Sequence, residues 1–148
     1  MHYRALPVFL LLLAVSGCSG GEDNGGIAPG QDTVAAERIT WIYSLQDGLS
    51  AAGQAGMPVM ADFFADWCHW CRKLDKETYT DKSVTEISRK FICVKIDTEK
   101  DADSAARYRI NGLPTILFLD KNGNIISEVV GFRDADGMLS EMHKALDK

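Results

Sequence analysis

Val59-Met60-Ala61-Asp62-Phe63-Phe64-Ala65-Asp66-Trp67-Cys68-His69-Trp70-Cys71 is the stretch from which the rest of this chain is read. Its first seven residues are apolar except for Asp62, the pattern of a central strand covered on both faces. Cys71-Arg72-Lys73-Leu74-Asp75-Lys76-Glu77-Thr78 then reads as a helix. Two cysteines flanking two residues thus stand where a strand feeds the first turn of a helix, an arrangement suited to thiol exchange. Unpaired N–H groups and the dipole at a helix N-terminus stabilise an anion, so the first cysteine ionises more easily. Its thiolate is a nucleophile, and the second thiol, one turn along, can attack the mixed disulfide that forms.

Three plainer readings of Cys-x-x-Cys compete with this one. Half of a zinc site needs a second pair, but the other cysteines are Cys18, near the N-terminus, and Cys93, alone in an apolar run. The histidines, His2, His69 and His143, are too scattered to complete one. A c-type haem site needs histidine after the second cysteine, where Arg72 stands. A purely structural disulfide would close too small a loop to add much stability. Reversible redox exchange is the reading that remains.

The chain opens Met1-His2-Tyr3-Arg4, runs largely apolar from Ala5 to Val15 and continues Ser16-Gly17-Cys18. A short positive region, an apolar stretch and small residues before a cut describe a secretory signal over residues 1–17. The apolar stretch is short of the roughly 20 residues that a spanning helix needs. Val15-Ser16-Gly17-Cys18 resembles the lipobox of bacterial lipoproteins, which implies a lipid on Cys18; the other reading is an ordinary signal peptide with an incidental cysteine. Several acyl chains would anchor the protein stably. Ser19 resembles the pattern sent to the outer membrane of Gram-negative cells. Outside the cytosol a reduced cysteine pair needs an electron source.

Residues 18–32 are glycine-rich and read as a tether, leaving residues 33–148 for one domain with a real core. The whole chain of 148 residues carries a net charge of −5. Such a mildly acidic chain is a poor partner for nucleic acid. Arg72-Lys73 reads as a solvated helix face.

Periodicity predicts a strand over 39–43, a helix over 45–55, the strand 59–65 and the helix 71–78. Further on it predicts a helix over 84–90, a strand over 91–97 and a helix over 102–108 ended by Asn111-Gly112. Strands over 115–119 and 124–130 flank Asp120-Lys121-Asn122-Gly123, a hairpin signal. An amphipathic helix over 134–146 closes the chain, its methionines read as core. This order makes an α/β fold, a mixed β-sheet flanked by helices on both faces.

The order resembles the thioredoxin fold over roughly residues 39–146. Its marks are the stretch 61–71 quoted above and Gly112-Leu113-Pro114-Thr115. Ala65-Asp66-Trp67-Cys68 and Lys73-Leu74-Asp75-Lys76-Glu77-Thr78-Tyr79 look most like the periplasmic C-terminal domain of DsbD-type reductases. They are also similar to thioredoxin-like lipoproteins with a Trp-Cys-x-x-Cys motif.

Within that resemblance Cys68 is the nucleophile and the more exposed thiol, and Cys71 the buried, resolving one. A protonated His69 would favour the Cys68 thiolate; a solvent-exposed His69 would have little influence. Trp67 and Trp70 either receive partner chains or shield the sulfurs. Asp62 matches the buried aspartate that moves a proton to or from the resolving cysteine in thioredoxins; alternatively backbone or water satisfies it. Pro114 matches the proline after a cis bond, which exposes the backbone of Leu113 to a substrate strand; the alternative is a trans proline in a plain loop. Thioredoxins carry a lysine near Cys93, whereas Lys95 lies two residues on, on the same strand face. Cys93 itself reads as a buried, inert thiol.

The sequence thus points to an exported, lipid-anchored thiol–disulfide oxidoreductase, without a cofactor or metal, that reduces the disulfides of substrate proteins through Cys68 and Cys71. Its partners would be proteins with disulfides and a membrane electron donor of the DsbD type. Oxidase or isomerase action reverses the same chemistry. A Cu(I)-handling module on Cys68 and Cys71, or a redox-dead interaction module, are rivals from other classes.

Overall fold

The computed structural model describes residues 38–148. The readings placed on the leader and the tether, Cys18 among them, lie outside the described residues. Four strands form one sheet in the order β2-β1-β3-β4. β1 (Val59–Phe64) lies parallel to β2 (Ile92–Asp97) and antiparallel to β3 (Thr115–Leu119). β4 (Ile125–Val130) closes the edge as the second arm of the hairpin. The mixed sheet expected from the sequence is therefore present, and β1, apolar except for Asp62, runs through its middle.

Alternation along β1 and β2 divides the core in two. Met60, Cys93, Ile116 and Phe118 face a cluster with Leu74, Val84, Met138 and Met142. This side is covered by the helical stretch after Cys68, by α3 (Lys82–Ser88) and by α5 (Ala135–Leu146). Ala61, Phe63, Val94, Ile96 and Leu117 face the opposite way, against Leu45 and Ala52 of α1 (Leu45–Ala55) and Ala105 of α4 (Ala102–Arg107). Burial of these apolar faces supplies most of the driving force for the fold.

Local signals explain the ends of the elements. Ser44 caps α1 through the Asp47 N–H at 3.2 Å, and Gly56 ends it at φ 68°. A left-handed residue in that place is most often glycine. Asp81 caps α3 by accepting from Ser83 and Val84. In the hairpin, Asp120 accepts from the Asn122 and Asn124 N–H groups, and Gly123 takes φ 85°.

Three expectations change. The strand expected over 39–43 reduces to a single bridge between Ile42 and Val94, because Ser44 already starts α1 two residues later. The helix after the cysteine motif begins at His69, two residues early, as α2 (His69–Lys73), and continues as a π-helical turn over Leu74–Thr78. α4 stops at Arg107, before Asn111-Gly112, because Arg109 takes φ 55° and the Ile110 N–H returns to the Ala105 carbonyl.

Candidate functional site

Cys68 sits at the N-cap of α2, where β1 hands the chain to the helix. Its Sγ accepts the Cys71 N–H at 3.1 Å, and its carbonyl accepts the Arg72 N–H at 3.2 Å. The sulfur thus takes the place of the oxygen that usually caps a helix, and an N–H aimed at it favours the thiolate once the bond opens. Cys68 and Cys71 form a disulfide, with Cα atoms 5.3 Å apart. In this oxidised state Cys68 is 4% exposed and Cys71 2%. The bond to Cys71 and the turn from Ala65 tuck both sulfurs in, and Cys68 is the slightly more exposed of the two.

The exposed groups are aromatic. Trp67 is 66% and Trp70 52% exposed, one before and one between the cysteines. The Trp67 indole N–H donates to Glu99 at 3.1 Å, which holds that ring toward the β2–α4 connection. Trp70 leans the other way, with its centroid 5.9 Å from Phe132. The exposed His69 meets Trp70 edge-on at 5.6 Å.

Leu113-Pro114 is a cis peptide. The Pro114 carbonyl accepts from Gly131 at 2.8 Å, and the Gly112 carbonyl accepts from the Thr115 hydroxyl at 2.8 Å. Leu113 lies between these anchored groups, and its own N–H and carbonyl have no partner among the described residues. Leu113 and Trp67 line one hollow of about 260 Å³ together with Ile110 and Ala105. The fold thus brings Leu113 beside Trp67 although 46 positions separate them in the chain.

Asp62 lies beneath, fully buried on β1. Register sets Lys95 of β2 beside it, with Nζ 3.2 Å from Asp62 Oδ2. Lys95, two residues past Cys93 on the same strand face, is thus the lysine that reaches the carboxylate. Lys95 also pairs with Asp75, four residues after Cys71, and Asp75 is half-exposed. Burial pushes Asp62 up to about 6, against the attraction of Lys95. Burial disfavours the Lys95 charge, yet Asp62 and Asp75 together hold the lysine above its ordinary value. Tyr79, raised by burial and by those carboxylates, lies close enough to feel them. Neither its hydroxyl nor Asp62 Oδ1 reaches full hydrogen-bond geometry with any described group. Burial pushes Cys93 up to about 12, where it donates to the Ser88 carbonyl at 3.5 Å.

Sequence reasoning missed Asp75, Tyr79 and Phe132. Asp75 could have been found, since a carboxylate one turn after Cys71 returns toward the same place. Phe132 lies 62 positions from Trp70 and carries no local signal. Among the described residues no group of three or more histidine, cysteine or carboxylate side chains could hold a metal ion. No described helix is long and apolar enough to cross a membrane.

Comparison with known proteins agrees with this geometry. A thioredoxin-like domain family matches residues 45–146. The thiol:disulfide interchange protein DsbD of Ralstonia nicotianae is 32% identical over 128 residues, covering 83% of this chain and 21% of that protein. The chain therefore spans about a fifth of the curated relatives it matches. A solution structure of a Thermus thermophilus thioredoxin superposes with a TM-score of 0.67 at 23% identity, covering 74% of this chain and 88% of that one. The reduced C-terminal domain of Neisseria meningitidis DsbD gives 0.60 at 23% identity, covering 68% and 93%. Both structural likenesses speak for the fold.

Proposed function

The chain belongs to the thioredoxin-like domain family, and from that premise we propose an exported reductase of protein disulfides. It is a thiol–disulfide oxidoreductase, and the observation that carries this is the Cys68–Cys71 disulfide at a helix N-cap, with Cys68 Sγ facing the Cys71 N–H. Once reduced, Cys68 as thiolate attacks a disulfide sulfur of the partner. A Cys68–partner bond forms, and the other partner sulfur leaves as a thiolate that takes up a proton. Cys71 gives up its proton and attacks Cys68; the mixed disulfide breaks and the partner's second thiol is released. Two electrons pass to the partner, and the Cys68–Cys71 disulfide returns.

Each further residue has a task in this scheme. Leu113, whose backbone groups are unpaired beside cis Pro114, receives the partner strand by main-chain hydrogen bonds. Trp67 and Trp70 offer apolar surface on the two sides, and His69 adjoins the nucleophile. Asp62, pushed up to about 6 by burial, accepts and returns the Cys71 proton, while Lys95 keeps its carboxylate in place. Lipid on Cys18 would hold the domain at a membrane outside the cytosol, and a DsbD-type membrane protein would return the two electrons.

Equilibrating the Cys68–Cys71 couple in glutathione buffers tests the direction. A potential near the thioredoxin end, about −270 mV, supports a reductase. A value near −120 mV, the DsbA end, would make the protein an oxidant or isomerase.

A further inference from the structure

The side of α2 that carries Trp70 has no part in the exchange step itself. A groove of about 350 Å³ starts there at His69, beside Cys68, and runs past Trp70, Arg72, Lys73 and Lys76 to Glu77. Three cations against one carboxylate line it, on a chain whose net charge is −5. Arg72 is fixed by donating to the Asp66 carbonyl at 2.6 Å. Lys73 Nζ stands 4.5 Å from the Phe132 centroid, 5.4 Å from that of Trp70 and 3.7 Å from Glu77 Oε2. The ammonium of Lys76 has no partner among the described residues. Beside the disulfide there is thus an exposed indole, an ammonium held over two rings and a free cation.

We propose that this groove receives the polypeptide flanking a partner's reacting cysteine and selects partners with carboxylates there. The proposal rests on the exchange reading above and names the partner class for the same site. Its spacing follows from the helix. At about 1.5 Å of rise per residue, Lys73 and Lys76 lie roughly 7 and 12 Å along the axis from Cys68. An extended chain covers those distances in about two and four residues. Carboxylates at these two positions meet the lysines, and an apolar residue between them lies against Trp70 and Phe132. A partner with lysines there is repelled. Such charges act chiefly on the rate of productive encounter, and salt screens them.

The test uses the full reduced chain and three short peptide disulfides with glutamate, glutamine or lysine two and four residues from each cysteine. Stopped-flow tryptophan fluorescence gives the second-order rate constants at low and high salt. Expected is an order of glutamate, then glutamine, then lysine, each step up to about fivefold at low salt and shrinking as salt rises. Lys76→Glu should reverse or erase that order. Equal rates for the three peptides, or a preference that Lys76→Glu leaves unmoved, would overturn the groove while leaving exchange intact. A common rise of all three rates with salt would assign the groove to an acidic stretch of this chain, such as Glu22-Asp23, and overturn it likewise. No exchange with any peptide would sink the exchange reading and this proposal with it.

Discussion

Replacing Asp62 by asparagine probes the electrical state of the buried pair. The wild-type carboxyl is pushed from its ordinary 3.8 up to about 6, chiefly by burial, with Lys95 pulling the other way. A carboxyl that holds its proton more tightly when folded stabilises the fold below its unfolded pKa. That stability drains away as pH rises through the folded value. At about 1.36 kcal/mol for each pK unit, the gap between 3.8 and about 6 amounts to roughly 3 kcal/mol. Integration over both titrations places about 2 kcal/mol of this loss between roughly pH 4.5 and 7.5. Asparagine has nearly the same shape and no proton to lose, and Lys95 keeps Asp75 as its counter-ion. Wild-type stability should therefore fall across this window relative to Asp62→Asn, instead of differing by a constant. Urea unfolding of the oxidised protein, followed by tryptophan fluorescence at about pH 4.5, 6 and 7.5, measures the difference. Other titrating groups are common to both proteins and cancel. Curves that stay parallel to within about 0.5 kcal/mol would refute the reasoning.

Cys71→Ser should accumulate a mixed disulfide with a partner through Cys68, visible on a non-reducing gel and by mass, whereas Cys68→Ser should form none; trapping by the latter would reverse the assigned roles. Gly48→Ala drives a Cβ into Val94 Cγ2, closer than two carbons can stand. Helix propensity returns about 1 kcal/mol, but overpacking of about 1–3 kcal/mol should outweigh it and lower the urea midpoint. Cys93, 5% exposed and pushed up to about 12, should resist iodoacetamide near neutral pH for as long as the fold lasts. Labelling of its peptide as fast as that of reduced Cys68 would contradict this.

Much of the fold was legible because its signals are local. The apolar runs at 59–65 and 91–97 are long enough to declare buried strands, and they became β1 and β2. Asn122-Gly123 marked the hairpin, although Asp120 organises it as a longer loop than the glycine alone requires. The strand expected over 39–43 failed for a physical reason: β-branched and aromatic residues there found a single bridge to β2 before Ser44 turned the chain into α1. Apolar character marks a segment for burial, but the number of ladder hydrogen bonds it makes depends on its neighbour.

Residue spacing and the cost of burying a charge were enough to mark the cysteine pair, the strand that delivers it and the buried position of Asp62. Tertiary structure alone decided what surrounds them. Parallel register between β1 and β2 gave Asp62 its lysine, the hairpin and cis Pro114 brought Leu113 beside Trp67, and the β4–α5 connection set Phe132 against Trp70. These contacts join residues 33 to 62 positions apart. Side-chain patterns report only the faces of single elements, so contacts of this range exist once the elements have packed and their register is set.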